Sequence, residues 1–304
     1  MRVLWVLKSQ MHSEYRPNDW KDGAMPRYSP TVRRRRLSLE LRRLREAAGL
    51  TASQAAKQLE WDTSKITRME RNEWKRPNPR DIKDLLDLYK VEDESRREAL
   101  IELARQSRQK GWWAAHDDLL SGGTYIGLET EASVIRTFQL GVVPGLLQTP
   151  EYAEALMRGF GTKEDVIERR VAIRMERQQL LDAENPPRLW AIIDEAALVR
   201  PVGGPEVMRG QLEHLIAVGR QHDNVHVQVL PFSVGAHAGL AGQFVLLEFP
   251  EDPGVVHVES ATDGLYLETA QDLQRYQLLY DHVHASALSV SQSREHLKRL
   301  AMRL

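Results

Sequence analysis

Cysteine is absent from this chain of 304 residues, which excludes disulfide bonds, a redox-active thiol and every metal site that needs cysteine ligands. Long apolar segments are also absent, because no run approaches the roughly 20 residues that span a bilayer. The opening MRVLWVLKSQ has only a short apolar patch and lacks the pattern of a secretory signal. These absences predict a globular cytoplasmic protein.

A net charge is almost absent as well, since 42 basic and 43 acidic residues leave −1. The charges are distributed unevenly, however. Residues 25–110 hold 22 basic and 14 acidic side chains, a net +8, whereas residues 111–304 hold 16 and 26, a net −10. We therefore predict two domains with these bounds, the first suited to approach phosphate and the second to avoid it or to hold a basic partner. Residues 1–24 are expected to be a disordered or artefactual extension.

Residues 37–72, LSLELRRLREAAGLTASQAAKQLEWDTSKITRMERN, carry the most informative pattern in the first domain. Their apolar residues recur at helical spacing and predict two short amphipathic helices. A third helix is predicted to begin at Asp62, a good N-cap residue, and to turn Ile66 and Met69 inward. Its outward side chains are short, polar or basic, as readout of a DNA major groove requires: Thr63, Ser64, Lys65, Arg68 and Arg71.

The phrases Gly49-Leu50-Thr51, Ala55-Ala56 and Met69-Glu70-Arg71-Asn72, together with Ile66, resemble the helix-turn-helix of the Cro/repressor (XRE) family. The resemblance implies that the helix from Thr63 is the recognition helix, and that its base-reading side chains are Thr63, Ser64, Lys65 and Arg68. Two departures are Ala52, where many relatives have a phosphate-binding Gln, and Glu60, where many have Gly. Glu60 must therefore form the turn without the conformational freedom of glycine.

Contacts to the DNA backbone are expected from basic and polar residues around this unit. The four arginines at positions 33–36 precede the predicted first helix, where they would form an arm that follows the DNA backbone or enters a minor groove. The alternative is that they form a solvated basic segment. The full predicted set is Arg33, Arg34, Arg35, Arg36, Thr51, Arg71, Lys75 and Arg76. By the same resemblance, Arg45 is expected to pair with Glu70; the alternative is two solvated charges.

The second domain is predicted to begin near Trp112 with helices over 129–138, 150–158 and 164–183. The pattern then changes to short segments rich in Val, Leu and Phe: LWAIID, VHVQVLPF, GQFVLLEF, VVHVES and GLYLE. A helix over 205–221 separates the first two, and two helices close the chain. The predicted fold class is therefore an all-α helix-turn-helix N-terminal domain plus an α+β C-terminal domain with a mostly antiparallel sheet.

The phrases VVPGLLQTPEYAEAL, VAIRMERQQLL, IIDEAALVRPVGGPEVMRGQLEHL and VQVLPFSVGAHAGLAGQFVLLEFP resemble the C-terminal domain of WhiJ-like regulators of actinobacteria. The resemblance implies a transcription factor, often encoded beside a small partner protein and sometimes described as antitoxin-like. We therefore expect a nucleoid-associated, dimeric regulator whose second domain senses a small protein partner. The alternatives are control by a small-molecule effector, or an antitoxin-like protein that sequesters a small basic partner.

Catalysis, a cofactor and a metal site are not expected in the second domain. His222 and His226 have the spacing of a helical metal-binding pair, but a turn signal separates them. Asp194 and Glu195 end an apolar strand, where capping or ion pairing is a commoner role than acid–base chemistry. The glycines around His237 favour a tight hairpin, with the edge of a ligand or partner site as the alternative. The residues named for that site are Arg170, Arg174, Arg177, Asp194, Glu195 and His237.

Overall fold

The computed structural model describes residues 29–74, 76–109, 111, 114, 123–250, 252–259 and 264–304. The predicted extension over residues 1–24, Lys75 and the predicted boundary near Trp112 lie outside these residues. The chain forms two compact units, Met1–Glu131 and Ala132–Leu304. This division comes later than the boundary predicted after residue 110. No helix in the described part of the chain is long and apolar enough to cross a membrane.

The first unit contains six described helices. They are α1 (Pro30–Ala47), α2 (Ala52–Gln58), α3 (Thr63–Glu70), α4 (Pro79–Leu88), α5 (Glu94–Gln106) and α6 (Thr124–Glu131). The helices α1 to α5 enclose one apolar core that includes Leu37, Ile66, Ile82 and Leu86. The helix α6 packs against α1, and a Glu131 carboxylate oxygen accepts a hydrogen bond of 2.8 Å from the Ser29 backbone N–H.

Local sequence explains where these helices begin. Ser29 caps α1 through a hydrogen bond from the Thr31 N–H, and Pro30 occupies the first turn, where a missing N–H costs nothing. The helix therefore begins well before Leu37, where the predicted pattern began. The run of arginines 33–36, predicted as an arm, lies inside α1.

The second unit alternates strands and helices before ending in two helices. Its strands are β1 (Val134–Gln139), β2 (Arg188–Asp194), β3 (Val225–Leu230), β4 (Phe244–Glu248), β5 (Val255–Glu259) and β6 (Gly264–Leu267). Its helices are α7 (Pro150–Gly159), α8 (Glu164–Gln178), α9 (Glu195–Val199), α10 (Pro205–Gln221), α11 (Ala270–Ser286) and α12 (Val290–Ala301).

The six strands form one mixed sheet in the order β3-β2-β1-β4-β5-β6. β1, β2 and β3 are parallel, whereas β4, β5 and β6 follow in antiparallel pairs. Three of the five strand pairings are antiparallel, so the predicted mostly antiparallel sheet is roughly right, but the two parallel pairings make the sheet mixed. The physical reason is connectivity: helical segments separate β1 from β2 and β2 from β3, and such crossovers are what parallel neighbours need.

β1 corrects a second expectation, because residues 129–138 were predicted as a helix. The helix ends at Glu131, and Val134–Gln139 instead form a central strand, with Ile135 and Phe138 buried. The β-branched and aromatic residues of VIRTFQ suit a strand, but the helix-forming residues directly before them concealed the change. One face of the sheet packs against Tyr280 and Val283 of α11, and α10 and α12 both pack against β3.

Candidate functional site

The helices α2 and α3 form a helix-turn-helix with well-defined caps. Thr51 and Gln54 make a reciprocal capping box at the start of α2, and Asp62 accepts a hydrogen bond of 2.7 Å from the Ser64 N–H at the start of α3. Between the two helices, Glu60 adopts a left-handed conformation with φ 56°. The turn thus has the backbone that glycine provides most easily, as the sequence suggested.

The helix α3 has one anchored face and one exposed face. Ile66 is 1% exposed and Met69 3%, and both belong to the core of the first unit. Thr63, Ser64 and Arg68 are exposed on the opposite side. A short helix fixed through two apolar residues therefore presents hydroxyl and guanidinium groups to the surroundings, which is the arrangement required to read base edges.

Lys65, the fourth predicted base-reading residue, is held by neighbours instead of projecting freely. Its Nζ lies 2.9 Å from Oδ2 of Asp81, at the start of α4. The same ammonium lies 3.5 Å from the ring centroid of Trp61, a cation–π distance. Neither Asp81 nor Trp61 was predicted as a site residue. Asp81 lies three residues after the helix cap Asn78. From the sequence, this spacing places an acidic side chain in the first turn of a helix.

Arg45 and Glu70, predicted as an ion pair, form one that joins α1 to α3. Arg45 Nε and Nη2 donate to the two Glu70 oxygens at 2.6 and 2.8 Å, and Nη1 donates to the Leu50 carbonyl at 2.6 Å. The side chains are only 12% and 9% exposed. The hydrogen bonds to Glu70 raise the pKa of Arg45 above its ordinary value despite its burial. This bidentate pair fixes the end of α3 against the unit's longest helix.

The arginines of α1 do not form the predicted arm. Arg35 is 3% exposed, which removes its guanidinium from the reach of a DNA phosphate. Arg34 Nε donates to Oδ1 of Asn72 at 3.0 Å, and burial lowers the pKa of Arg34. Arg33 and Arg36 are half-buried. Among the other predicted backbone contacts, three are exposed, at the start of α2, at the end of α3 and in the connection to α4: Thr51, Arg71 and Arg76.

In the second unit, Asp194 and Glu195 lie at the carboxyl end of β2 and each contacts a histidine. Asp194 Oδ1 caps α9 by accepting from the Ala196 N–H at 2.8 Å, and Oδ2 lies 3.4 Å from Nε2 of His237. Glu195 Oε1 lies 3.0 Å from Nε2 of His296. Its Oε2 accepts from a backbone N–H, that of Phe232, at 2.7 Å. The two carboxylates thus join β2 to the segment after β3 and to α12.

His237 lies on the segment that crosses from β3 to β4 over the end of β1. This segment is not a tight hairpin, because β3 and β4 are not neighbours in the sheet. The His237 side chain is 6% exposed, its ring meets that of Phe138 edge-on at 5.9 Å, and its buried Nδ1 has no hydrogen-bond partner among the described residues. A Cβ at Gly239 would lie 2.4 Å from the Phe138 ring, so glycine is required there.

The three arginines of α8 do not share one role. Arg170 is exposed, whereas Arg174 Nη1 donates to the Gln148 side chain and Nη2 of Arg177 lies 3.0 Å from the Cβ position of Gly145. Arg174 and Arg177 therefore support the loop after β1. In the described part of the chain, no group of three His, Asp or Glu side chains is arranged to hold a metal ion.

Comparison with known families assigns the two parts of the chain to different families, although the second match begins at residue 123 and includes α6. The family described as Helix-turn-helix domain (HTH_31) matches residues 36–100, which include α2, α3 and the exposed face. The fold and this match define a DNA-binding regulator of the helix-turn-helix class. The family described as Domain of unknown function (DUF5753) matches residues 123–299, more than half of the chain, and the chain belongs to that family. No curated protein and no solved structure matches the chain.

Proposed function

We propose that the protein is a sequence-specific transcriptional regulator of the XRE type, with a WhiJ-like second unit that senses a small protein partner. The observation that carries the DNA-binding part is the geometry of α3, anchored by Ile66 and Met69 with Thr63, Ser64 and Arg68 exposed. In this proposal α3 enters the major groove and α2 lies across the backbone. Catalysis forms no part of the proposal.

Dimerisation is part of the proposal because helix-turn-helix readers use two half-sites about one helical turn apart. A ligand of the second unit regulates such a dimer only by binding one DNA-binding geometry better than the other. Binding of the partner is therefore expected to change the affinity of the protein for its operator. Binding of the operator should change the affinity for the partner by the same free energy.

The DNA-binding part is tested by selection of a randomised duplex library with the full-length protein, followed by binding measurements on the enriched sequence. Arg68→Ala should weaken binding to that sequence by roughly 1–3 kcal/mol and relax the preference at one base position. Arg105→Ala is the matched control, because this exposed arginine pairs with Glu102 within α5. Failure to enrich any motif, with no duplex binding at low salt, would contradict the proposal.

Support for a protein partner comes from two exposed apolar side chains beside the carboxylates of the second unit. Phe232 and Leu240 are both 59% exposed. Phe232 donates its N–H to Glu195, and the Leu240 N–H bonds to the His237 carbonyl. Exposed apolar groups suit a partner with an apolar centre, and the net charge of −10 over residues 111–304 suits a basic partner.

Capture of a stoichiometric small protein by the full-length chain from host lysate is the test of this part. The double variant Phe232→Ser with Leu240→Ser should lose that protein. Leu278→Ser, which alters an equally exposed leucine on α11, should retain it. Retention by the double variant would remove this surface from the proposal. Release by moderate salt, with no DNA binding, would favour the antitoxin-like alternative.

A small-molecule effector is the second candidate, and the buried Nδ1 of His237 favours it. That nitrogen lies at the carboxyl ends of parallel strands, where ligands of open α/β sheets commonly bind. Native mass spectrometry of the purified protein should then show a retained metabolite that His237→Phe releases. A metabolite-free protein whose operator affinity is indifferent to host extract would exclude this candidate.

A further inference from the structure

The ammonium group of Lys65 is restrained on the DNA-facing side of the first unit. It contacts the Asp81 carboxylate at 2.9 Å and the Trp61 ring at 3.5 Å, one on α4 and the other just before α3. The Lys65 side chain is 34% exposed and partly covered by these neighbours, whereas Thr63, Ser64 and Arg68 are exposed. One of the four candidate base-reading residues is therefore already occupied before DNA arrives.

Asp81 is itself well positioned to keep this contact. It lies in the first turn of α4, where the helix dipole and unpaired N–H groups favour a carboxylate. Asn78 caps the same helix and places its amide nitrogen 3.5 Å from the other Asp81 oxygen. Asp81 is 21% exposed, so its attraction for Lys65 is screened less than that of a surface pair.

We propose that Asp81 is a specificity-determining residue that restrains Lys65 from contacting arbitrary DNA phosphates; this inference rests on the proposed function. Non-specific affinity comes from ammonium and guanidinium groups that displace the counterions of DNA. An ammonium that already has a carboxylate partner gives little of that gain. To contact DNA, Lys65 must leave the Asp81 carboxylate, and only a sequence with a well-placed base acceptor compensates for that loss. The pair of Lys65 and Asp81 therefore lowers affinity for other sequences more than it lowers affinity for the operator.

The primary test measures binding of the full-length protein to a random-sequence duplex over a series of salt concentrations. Asp81→Asn should bind roughly 2- to 5-fold more tightly than wild type, the range that a partly exposed ion pair supports. Its plot of log affinity against log salt should steepen by about 0.9, the contribution of one additional phosphate contact. Selection from a randomised library should also return a broader motif with this variant.

Matched variants separate restraint of Lys65 from simple removal of a negative charge near DNA. Asp84→Asn removes the same charge from an exposed position of the same helix and should leave the salt slope unchanged. Asp81→Glu keeps a carboxylate and should behave as wild type. Lys65→Met should abolish the gain, so that the double variant with Asp81→Asn binds no more tightly than Lys65→Met alone.

Two results would overturn the inference while leaving the proposed function intact. One is an equal gain from Asp84→Asn and Asp81→Asn, and the other is a gain from Asp81→Asn that persists in the Lys65→Met background. Hydrogen exchange of peptides from α4 in each variant identifies loss of that helix, and the Asp81→Glu result then decides whether the carboxylate or the helix matters. Absence of duplex binding by every protein, wild type included, would instead overturn the proposed function.

Discussion

The two units place their candidate functional residues in opposite ways. In the first unit, Thr63, Ser64 and Arg68 are exposed on one short helix and lie within six positions of each other. In the second, Asp194 and His237 come from different parts of the chain and are withdrawn from solvent. The comparison teaches that the candidate DNA-reading face needs little more than one anchored helix, whereas the cluster around Asp194 exists only because the sheet brings β1, β2 and the crossover segment together.

The units also differ in what their ion pairs do. In the first unit, Arg45 and Glu70 join two helices, and Lys65 with Asp81 restrains a side chain that faces outward. In the second, histidines contact the two carboxylates at the end of β2. Charge in the first unit therefore holds α3 and one of its outward side chains in place, while charge in the second connects a strand, a helix and the crossover segment.

The largest expected effect comes from breaking the first unit alone. Arg45→Ala should destabilise that unit by about 3 kcal/mol, because Glu70 is left as a buried charge without its partner. Hydrogen exchange followed by mass spectrometry should show faster exchange in peptides of α1 to α3 and no change in peptides of the sheet. Arg43→Ala, at an exposed pair with Glu40, is the control and should change stability by less than about 0.5 kcal/mol. Equal acceleration in both units would show that they do not unfold separately.

Acid should weaken the second unit through one buried histidine. Burial, followed by the nearby charge of Arg177, lowers the pKa of His257 to about 4. The unfolded chain takes up this proton near pH 6.5, so the contribution of His257 to stability is complete above that pH and is lost as pH falls toward 4. The loss should reach about 3 kcal/mol at pH 4.

The measurement for His257 is hydrogen exchange of β4 to β6 as a function of pH, corrected for the intrinsic rate. His257→Phe keeps a ring against Tyr266, which lies 4.9 Å away between centroids. It should remove this acid dependence without affecting the first unit. An unchanged pH profile in His257→Phe would assign the acid sensitivity to other groups.

A smaller effect should appear on DNA with both units folded. Arg71→Ala, at the exposed end of α3, should weaken binding to all duplexes by about 1 kcal/mol and reduce the salt slope by about 1. Arg35→Met should leave that slope unchanged, because Arg35 is buried in α1. A reduced slope with Arg35→Met would restore the arginine run to the DNA-binding surface.

The smallest effect should strengthen the first unit. Glu60→Gly relieves the left-handed conformation at φ 56° and should stabilise this unit by about 0.5–1 kcal/mol, after the greater chain entropy of glycine is included. Lys57→Gly places the same residue at an exposed position of α2 and should cost about 1 kcal/mol. Thermal unfolding of the pair should therefore give shifts of opposite sign. Destabilisation by both substitutions would show that glycine does not stabilise the turn at position 60.

The sequence by itself determined the features that depend on neighbouring residues. The helical spacing of Ile66 and Met69, the cap at Asp62 and the turn at Glu60 all predicted the helix-turn-helix, because each acts within a few residues. The alternating segments predicted β2 to β6 for the same reason. Even the distant pair of Arg45 and Glu70 was accessible through family resemblance.

Only the tertiary structure decided which of these residues are available. It placed Arg35 in the interior of the first unit, bound Lys65 to Asp81, and showed that β1 is the central strand with parallel neighbours. It also brought His237 over Phe138 at the end of that strand. Burial and strand order depend on contacts between residues far apart in the chain, and local periodicity contains no information about them.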